Sequence, residues 1–226
     1  MCSRYNLTSP AEAVRAAFRL ATIDPFPPRY NIAPTQPVGI VRSGWNGTSE
    51  FTLVRWGLVP SWVKTPEGLS TLINARFETA GEMPSFRGAL RHRRCLVPAN
   101  GFYEWSGRAG AKVPHLIQRP GGELMAFAGL WEHWVGADGS ELETMAILTV
   151  PANELVAPIH DRMPAIVQPD HYGAWLDCRS GSSVGILTLL GPAAADGLEV
   201  VEVSRALNDV RHEGADLIRP VRPRLL

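Results

Sequence analysis

The sequence predicts a single compact α+β domain built on curved, mostly antiparallel, barrel-like β-structure with flanking helices. Short β-like runs follow one another between residues 38 and 150, and turns rich in glycine and proline separate them. Such spacing is typical of antiparallel sheets and not of a β–α–β series. No internal repeat or linker divides the chain, so we expect one domain over residues 1–226.

The helices are predicted from capping and turn signals. A helix is expected from Pro10 to Leu20, because Ser9, Pro10 and Glu12 form a capping-box pattern. Five prolines mark the stretch from Asp24 to Pro37 as an extended loop. The tail from about Arg219 is also expected to be extended. Further helices are predicted over Glu78–Leu90, Ala152–Ala157 and Pro169–Asp177.

The strands are predicted from β-branched and aromatic runs bounded by turn residues. Turn signals lie at residues 44–47, 107–110, 120–122 and 136–139. The predicted strands are Val38–Arg42, Phe51–Arg55, Cys95–Val97, Gly101–Trp105, His115–Gln118, Leu124–Trp131 and Thr144–Val150.

Composition limits the classes of function. Hydrophobic residues make up 45% and charged residues 19% of the 226 residues, as in ordinary soluble globular proteins. No apolar run is long enough to cross a membrane, and the N-terminus has no apolar signal region, so we expect a cytoplasmic protein. The 22 basic and 22 acidic side chains cancel, which argues against a general polyanion binder. Nucleic-acid binding would therefore depend on a few well-placed arginines.

The cysteines and histidines indicate neither disulfides nor a metal site. Cys2, Cys95 and Cys178 are far apart, and no C-x-x-C or H-E-x-x-H spacing occurs. We therefore expect free thiols, no metal and no cofactor.

Cys2 carries the most specific chemistry in the sequence. Removal of Met1 would leave an α-amine and a thiol on adjacent carbons of one residue. An α-amine has a pKa of about 7.7–8.0, far below that of lysine, so much of it is free base near neutrality. The amine can form a Schiff base with an aldehyde, and the thiol can then close a five-membered thiazolidine ring. The alternative is that Cys2 is a small residue tolerated near a chain end.

Three further clusters are candidates, each with a structural alternative. Asn74 and Arg76 offer an amide and a phosphate-binding guanidinium, but Asn74 also fits a helix N-cap. Strand alternation places Glu104 on the same face as Phe102, where burial would raise its pKa; a rim carboxylate paired with an arginine is the alternative. His160, before Arg162, suits proton transfer, although a neighbouring aspartate is more often a structural partner.

Together, these segments resemble the SOS response-associated peptidase (SRAP) family. The matching blocks occur in family order and span almost the whole chain. They are MCSRY at residues 1–5, YNIAPTQ at 30–36, WGLVPSW at 56–62, INARFET at 73–79, RCLVPANGFYEW at 94–105, HDRMPAIV at 160–167 and VSRALNDVRHEGADLI at 203–218.

The resemblance implies a sensor of abasic sites in single-stranded DNA that forms a thiazolidine crosslink. A Schiff-base intermediate also permits β-elimination, so we expect weak lyase activity, and we expect a monomer. Cys2 would be the crosslinking residue, Asn74 would orient the sugar or the Cys2 backbone, and Glu104 and His160 would manage protons. The arginines expected to hold flanking phosphates are Arg4, Arg76 and Arg162, and the residues expected to pack against bases are Pro34 and Trp62.

Two departures and two rival functions accompany this interpretation. Ser3 stands where the family commonly has glycine, and Phe77 stands where a smaller residue is more usual. The family name also implies a second function, in which Cys2 is the nucleophile of a self-processing peptidase with Glu104 and His160 as acid–base partners. A non-covalent single-strand binder is the third possibility.

Overall fold

Two curved β-sheets make up most of the structure. The computed structural model describes residues 2–45, 47–108, 110–179 and 185–221. The strands in this part of the chain are β1 Tyr5–Leu7, β2 Arg29–Ile32, β3 Pro37–Ser43, β4 Ser49–Trp56, β5 Asn74–Arg76, β6 Arg94–Ala99, β7 Gly101–Ser106, β8 Val113–Gln118, β9 Met125–Val135, β10 Glu141–Pro151, β11 Arg162–Pro164, β12 Ile166–Val167 and β13 Glu199–Glu202.

The helices are short and flank the sheets. The α-helices are α1 Ala11–Ala17, α2 Arg87–His92 and α3 Tyr172–Leu176, and the 3₁₀ turns are Pro120–Gly122, Pro169–His171, Ile186–Leu189, Ala195–Gly197, Arg205–Asn208 and Ala215–Ile218. In the described residues, no helix is long and apolar enough to span a membrane.

The first sheet positions the N-terminus. Its strand order is β13-β8-β7-β1-β2, and every pairing in it is antiparallel. Strand β1 lies between β2 and β7, with Tyr5 opposite Phe102. Because β1 is central, the residues just before it enter the fold and are held on both sides.

The second sheet is curled. Its order is β11-β10-β4-β3-β6-β9-β12, with β5 paired to β10 and a further pairing between β9 and β10. The strands therefore wrap around the core, yet β4 and β10 meet over only two residue pairs, and they do so in parallel. The predicted curved, mostly antiparallel and barrel-like α+β fold is confirmed as a curled sheet, not a continuous closed barrel.

Alternation along β7 separates two apolar clusters. Phe102 is fully buried in the main core, which lies between the two sheets, while Tyr103 belongs to a second cluster with Leu116 and Leu207. Trp105 packs against that second cluster. Glu104 is on the same strand face as Phe102, as the sequence predicts.

All seven predicted strands are confirmed. Each is longer than predicted by one to four residues at one or both ends, and β9 begins one residue later than predicted. Six strands were not predicted: β1, β2, β5, β11, β12 and β13. Strand β2 lies inside the segment from Asp24 to Pro37, so the prediction of an uninterrupted loop there was wrong. These short strands depend on pairing with distant segments and carry little local signal.

The helix predictions need four corrections. Helix α1 runs from Ala11 to Ala17, so it begins one residue later and ends three residues earlier than predicted. Pro10 is its N-cap and makes no side-chain cap hydrogen bond. The predicted capping box is absent, and the Ser9 hydroxyl accepts a hydrogen bond from Asn100 instead. The predicted helix from Glu78 is replaced by turns until Arg87, because Pro84 lacks the N–H that a helix requires.

The other two helices are also shorter than predicted. Only a turn around Asn153 exists in the segment Ala152–Ala157, since Pro158 follows directly. The segment Pro169–Asp177 is helical but is divided into a 3₁₀ turn and α3. At the tail, Pro220 bridges Val203 in extended backbone, and residues 222–226 lie outside the described residues.

Candidate active site around Cys2

Cys2 is held inside the fold by the pairing of β1 with β7. The Arg4 carbonyl accepts a hydrogen bond from the Tyr103 N–H at 2.9 Å, so the chain before β1 runs towards Glu104. Cys2 is 0% exposed, and its Sγ lies 3.7 Å from the Arg4 carbonyl oxygen. Residues this close to a chain end are usually mobile unless they are tied down. The fold therefore fixes Cys2 in place.

Asn74 anchors the Cys2 backbone from the other sheet. It begins β5, which runs parallel to β10 with Asn74 opposite Ile147. The Asn74 Nδ2 donates to the Cys2 carbonyl at 2.8 Å. The Asn74 Oδ1 is buried and has no hydrogen-bond partner among the described residues. Asn74 is thus a strand residue, and the alternative that it caps a helix was wrong.

Glu104 places a buried carboxyl beside Cys2. It is 4% exposed, so it does not lie at a sheet rim. Burial raises the pKa of Glu104, and nearby positive charges, that of His160 among them, oppose the shift. Burial, and secondly the charge of Glu104, raise the pKa of the Cys2 thiol. A neutral thiol and a carboxyl that titrates above its usual range therefore lie close together.

His160 lies near Glu104, and two contacts of its own loop hold the ring. Its Nδ1 accepts the backbone N–H of Arg162 at 2.9 Å and lies 3.0 Å from Asp161 Oδ1. The amide N–H favours a lone pair on Nδ1, whereas the carboxylate favours a proton there. These contacts fix the orientation of the imidazole beside Glu104.

The three candidate phosphate-binding arginines differ in their surroundings. Arg76 is exposed on β5 and projects to the same side as Asn74, two residues before it. Arg4 donates to Asn31 at 2.7 Å and to the Leu207 carbonyl at 3.2 Å. Burial lowers the pKa of Arg4.

Arg162 is the most enclosed of the three. It is 8% exposed and makes two hydrogen bonds to the Glu78 carboxylate and one to the Thr149 carbonyl. The Arg162 partnership lowers the pKa of Glu78. The fork geometry of guanidinium suits a carboxylate and a phosphate equally.

The remaining candidates lie on surrounding segments. Pro34 is half-buried in a turn after β2, and Trp62 is 64% exposed in the segment between β4 and β5. Ser3 is half-buried beside Cys2, and Phe77 donates its N–H to Thr149 and packs partly against the core. The structure thus brings Cys2, Asn74, Glu104 and His160 together, and it leaves Pro34 and Trp62 outside this group.

Two residues of the site were missed by the sequence analysis. The Arg4 guanidinium lies 5.6 Å from the centre of the Trp105 ring, which supports it by a cation–π contact. Thr149 fixes Arg162 through its carbonyl oxygen. Trp105 stands next to Glu104 in the sequence and alternates to the opposite face, which was the available signal; Thr149 gave none. No cluster of three or more potential metal ligands occurs in the described parts of the chain.

The fold and the site define a class of protein with an enclosed cysteine at position 2, flanked by an amide, a carboxyl and an imidazole. Residues 1–210 match the family described as SOS response associated peptidase (SRAP). The chain belongs to this family, as the sequence blocks indicated.

Relatives and solved structures agree with this assignment. The chain is 37% identical over 223 residues to the abasic site processing protein YoaM of Bacillus subtilis, covering 96% of this chain and 97% of the relative. It is 31% identical to the abasic site processing protein YedK of Escherichia coli, covering 98% and 100%. A crystal structure of a Bacteroides thetaiotaomicron protein is similar with a TM-score of 0.80 and 26% identity, covering 90% and 93%.

Proposed function

We propose that this chain is an abasic-site sensor of single-stranded DNA that forms a covalent thiazolidine through Cys2 once Met1 is removed. The observation that carries the proposal is the enclosed position of Cys2. Asn74 donates a hydrogen bond to the Cys2 carbonyl, and the Glu104 carboxyl lies near the Cys2 thiol. A cysteine that was merely tolerated near a chain end would need neither contact. Relatives named abasic site processing proteins support the substrate.

The first chemical step belongs to the Cys2 amine. The amine nitrogen attacks C1′ of the ring-opened deoxyribose, and the resulting carbinolamine loses water to give a Schiff base. Once the C–N bond has formed, Glu104 accepts a proton from the positively charged nitrogen of the adduct and returns one to the departing hydroxyl, a role that suits a carboxyl whose pKa burial has raised. His160 assists opening of the sugar ring by donating a hydrogen bond to the ring oxygen.

The second step belongs to the Cys2 thiol. Because burial raises the pKa of the thiol, the amine is the first nucleophile and the thiol reacts afterwards. Its sulfur adds to the imine carbon while its proton moves to Glu104, and the five-membered ring closes. The balance is aldehyde plus aminothiol giving thiazolidine plus water. The Schiff base also acidifies the C2′ protons, which permits slow β-elimination of the 3′ phosphate and hence weak lyase activity.

DNA binding would come from the residues around this centre. We assign the flanking phosphates to Arg4, Arg76 and Arg162, where a phosphate at Arg162 would share the guanidinium with Glu78. Unstacked bases would pack against Pro34 and Trp62. We further propose that the protein acts as a monomer near the nucleoid of the cytoplasm and uses neither metal nor cofactor.

A crosslinking assay with matched cysteine variants tests the proposal. The wild-type protein should form an adduct with an abasic single strand that survives heating. Cys2→Ala keeps the amine but loses the thiol, so it should give only an adduct that needs borohydride reduction to survive. Cys2→Ser should behave in the same way. A heat-stable adduct of Cys2→Ala, formed at the wild-type rate, would exclude the thiazolidine mechanism.

The second candidate function is self-removal of Met1 by peptidase chemistry. The observation in its favour is that Glu104 lies near the Cys2 thiol and that His160 lies near Glu104, so an acid–base pair is at hand. Met1 lies outside the described residues. Intact mass of Glu104→Ala and His160→Ala proteins produced without aminopeptidase decides the question. Retained Met1 in these variants, but not in wild type, would support self-processing.

A further inference from the structure

A cleft between Trp62 and helix α2 carries a local excess of positive charge. It has a volume of about 270 Å³, and its charged and aromatic lining consists of Trp62, Arg87, Arg91, His92, Arg93 and Glu132. Its single carboxylate, Glu132, is nearly buried and is paired with Arg93 at 3.1 Å. Arg87 and Arg91 are exposed. In a chain of zero net charge, two such arginines beside an exposed indole form a distinct patch.

The cleft is connected to the Cys2 site by the chain itself. Trp62 lies in a loop whose two ends meet where Leu58 pairs with Leu72, and Leu72 is two residues before Asn74. Helix α2 follows the turns that begin at Arg76. The two walls of the cleft are therefore the segments directly before and after β5, the strand that carries Asn74 and Arg76.

The geometry of the patch fits a nucleic-acid strand. Arg87 and Arg91 are four residues apart in sequence and project from one side of α2. Trp62, which is 64% exposed, offers a ring face on which a base can stack. The volume is below the range of about 300–1,000 Å³ that encloses small ligands, so a shallow contact with one or two nucleotides suits it better.

From these observations we infer that the Trp62–α2 cleft is a second anchoring site for the single strand, which binds nucleotides that flank the abasic site. Arg87 and Arg91 contact the backbone phosphates, and Trp62 stacks on a base between them. This inference rests on the proposed function, because it assigns the path of the same substrate beyond Arg76. The cleft takes no part in bond formation.

Binding of intact fluorescent strands across a range of salt concentrations tests this inference without crosslinking. The full-length variant Arg87→Ala/Arg91→Ala is compared with Arg15→Ala/Arg19→Ala, which removes two exposed arginines of the same spacing from the region of α1. The α2 variant should bind more weakly and should lower the slope of log affinity against log salt by about 0.7 per arginine. Trp62→Ala should weaken binding at least about fivefold. The α1 variant should match wild type.

Equal salt slopes for wild type and the α2 variant, at unchanged thermal stability, would overturn the inference. An equal loss in the α1 variant would also overturn it, because the effect would then come from net charge. Crosslinking of an abasic trinucleotide, which has only one nucleotide on each side of the abasic site, should proceed at the wild-type rate in the α2 variant. Failure of wild type on every abasic strand would contradict the proposed function and would leave the salt slopes as a separate measure of the cleft.

Discussion

At the scale of single residues, Asn74 shows how a site depends on an atom that sequence patterns do not reveal. The amide nitrogen of Asn74 fixes the Cys2 carbonyl at 2.8 Å, and its buried oxygen has no partner among the described residues. A buried acceptor without a partner is costly, and a contact with substrate is one explanation for it. We expect the Asn74 oxygen to accept a hydrogen bond from the Cys2 amine or from the substrate sugar.

Replacing Asn74 by alanine should slow crosslinking more than it affects folding. Loss of one hydrogen bond to the Cys2 backbone corresponds to about 1 kcal/mol, or roughly a fivefold slower rate, and more if the substrate also uses the oxygen. Asn153→Ala is the matched control, because its amide also donates to a single carbonyl, that of Ala193 at 2.9 Å. Single-turnover crosslinking measures both. Equal rates in the two variants would contradict a positioning role for Asn74.

The sequence predicted Cys2 as the reacting residue and Glu104 as its carboxyl, but it did not predict how the site around them is arranged. Cys2 follows from the chemistry of an N-terminal aminothiol, and the burial of Glu104 follows from alternation along β7. The hydrogen bond from the Arg162 N–H to the His160 ring could not be predicted, because it depends on the local backbone conformation. The pairing of Arg162 with Glu78 could not be predicted either, because the two residues are 84 positions apart.

At the scale of elements, the strands with strong periodicity were predictable and the short ones were not. Strands β9 and β10 contain long apolar runs whose identity does not depend on their neighbours. Strand β5 has three residues and exists because β10 offers a free edge beside Ile147. The predicted helix ends were wrong where a proline lies within the predicted segment, as Pro84 does in the helix predicted over Glu78–Leu90. Asn74 was named as a site residue by resemblance alone, and its strand was not foreseen.

Arg94 ties two helices to β6 and gives a prediction at this scale. It is 2% exposed, and its guanidinium donates to the carbonyls of Leu90 at 2.8 Å and Trp175 at 2.7 Å, and to that of Asp177. Arg94→Met should lower the free energy of unfolding by about 3 kcal/mol, because these buried carbonyls lose their donors.

Denaturant unfolding of Arg94→Met and of Arg91→Met provides the comparison. Arg91 is exposed three residues earlier, so its replacement should change stability by no more than about 0.5 kcal/mol. Arg94→Lys should recover only part of the loss, since an ammonium cannot reach all three carbonyls at once. Wild-type stability in Arg94→Met would show that these bonds do not hold α2 and α3.

At the scale of the whole molecule, the site makes stability depend on pH. Burial raises the pKa of Glu104, so the folded state favours the protonated carboxyl. The stability that Glu104 contributes is full below the pKa of an unfolded glutamate and is lost as pH rises through the raised folded value. Above that value, the fold holds an ionised carboxylate at a cost that function requires.

Glu104→Gln, which imitates the protonated carboxyl, should therefore gain stability over wild type as pH rises. The two proteins should be equally stable in acid, and the variant should unfold at a higher temperature near neutral pH while crosslinking slowly. Thermal unfolding at a series of pH values provides the measurement. Glu154→Gln, which replaces an exposed carboxyl, is the control. A difference independent of pH would mean that Glu104 ionises normally in the folded protein.

The central claim concerns the covalent chemistry of residue 2, and intact mass spectrometry tests it most directly. After incubation with an abasic single strand and heating, the thiazolidine mechanism predicts one product. Its mass should equal that of the protein without Met1 plus that of the strand, less one water. Peptide mapping should place the modification on Cys2. Unmodified protein, a product that retains Met1, or a modification on another residue would contradict thiazolidine formation at Cys2.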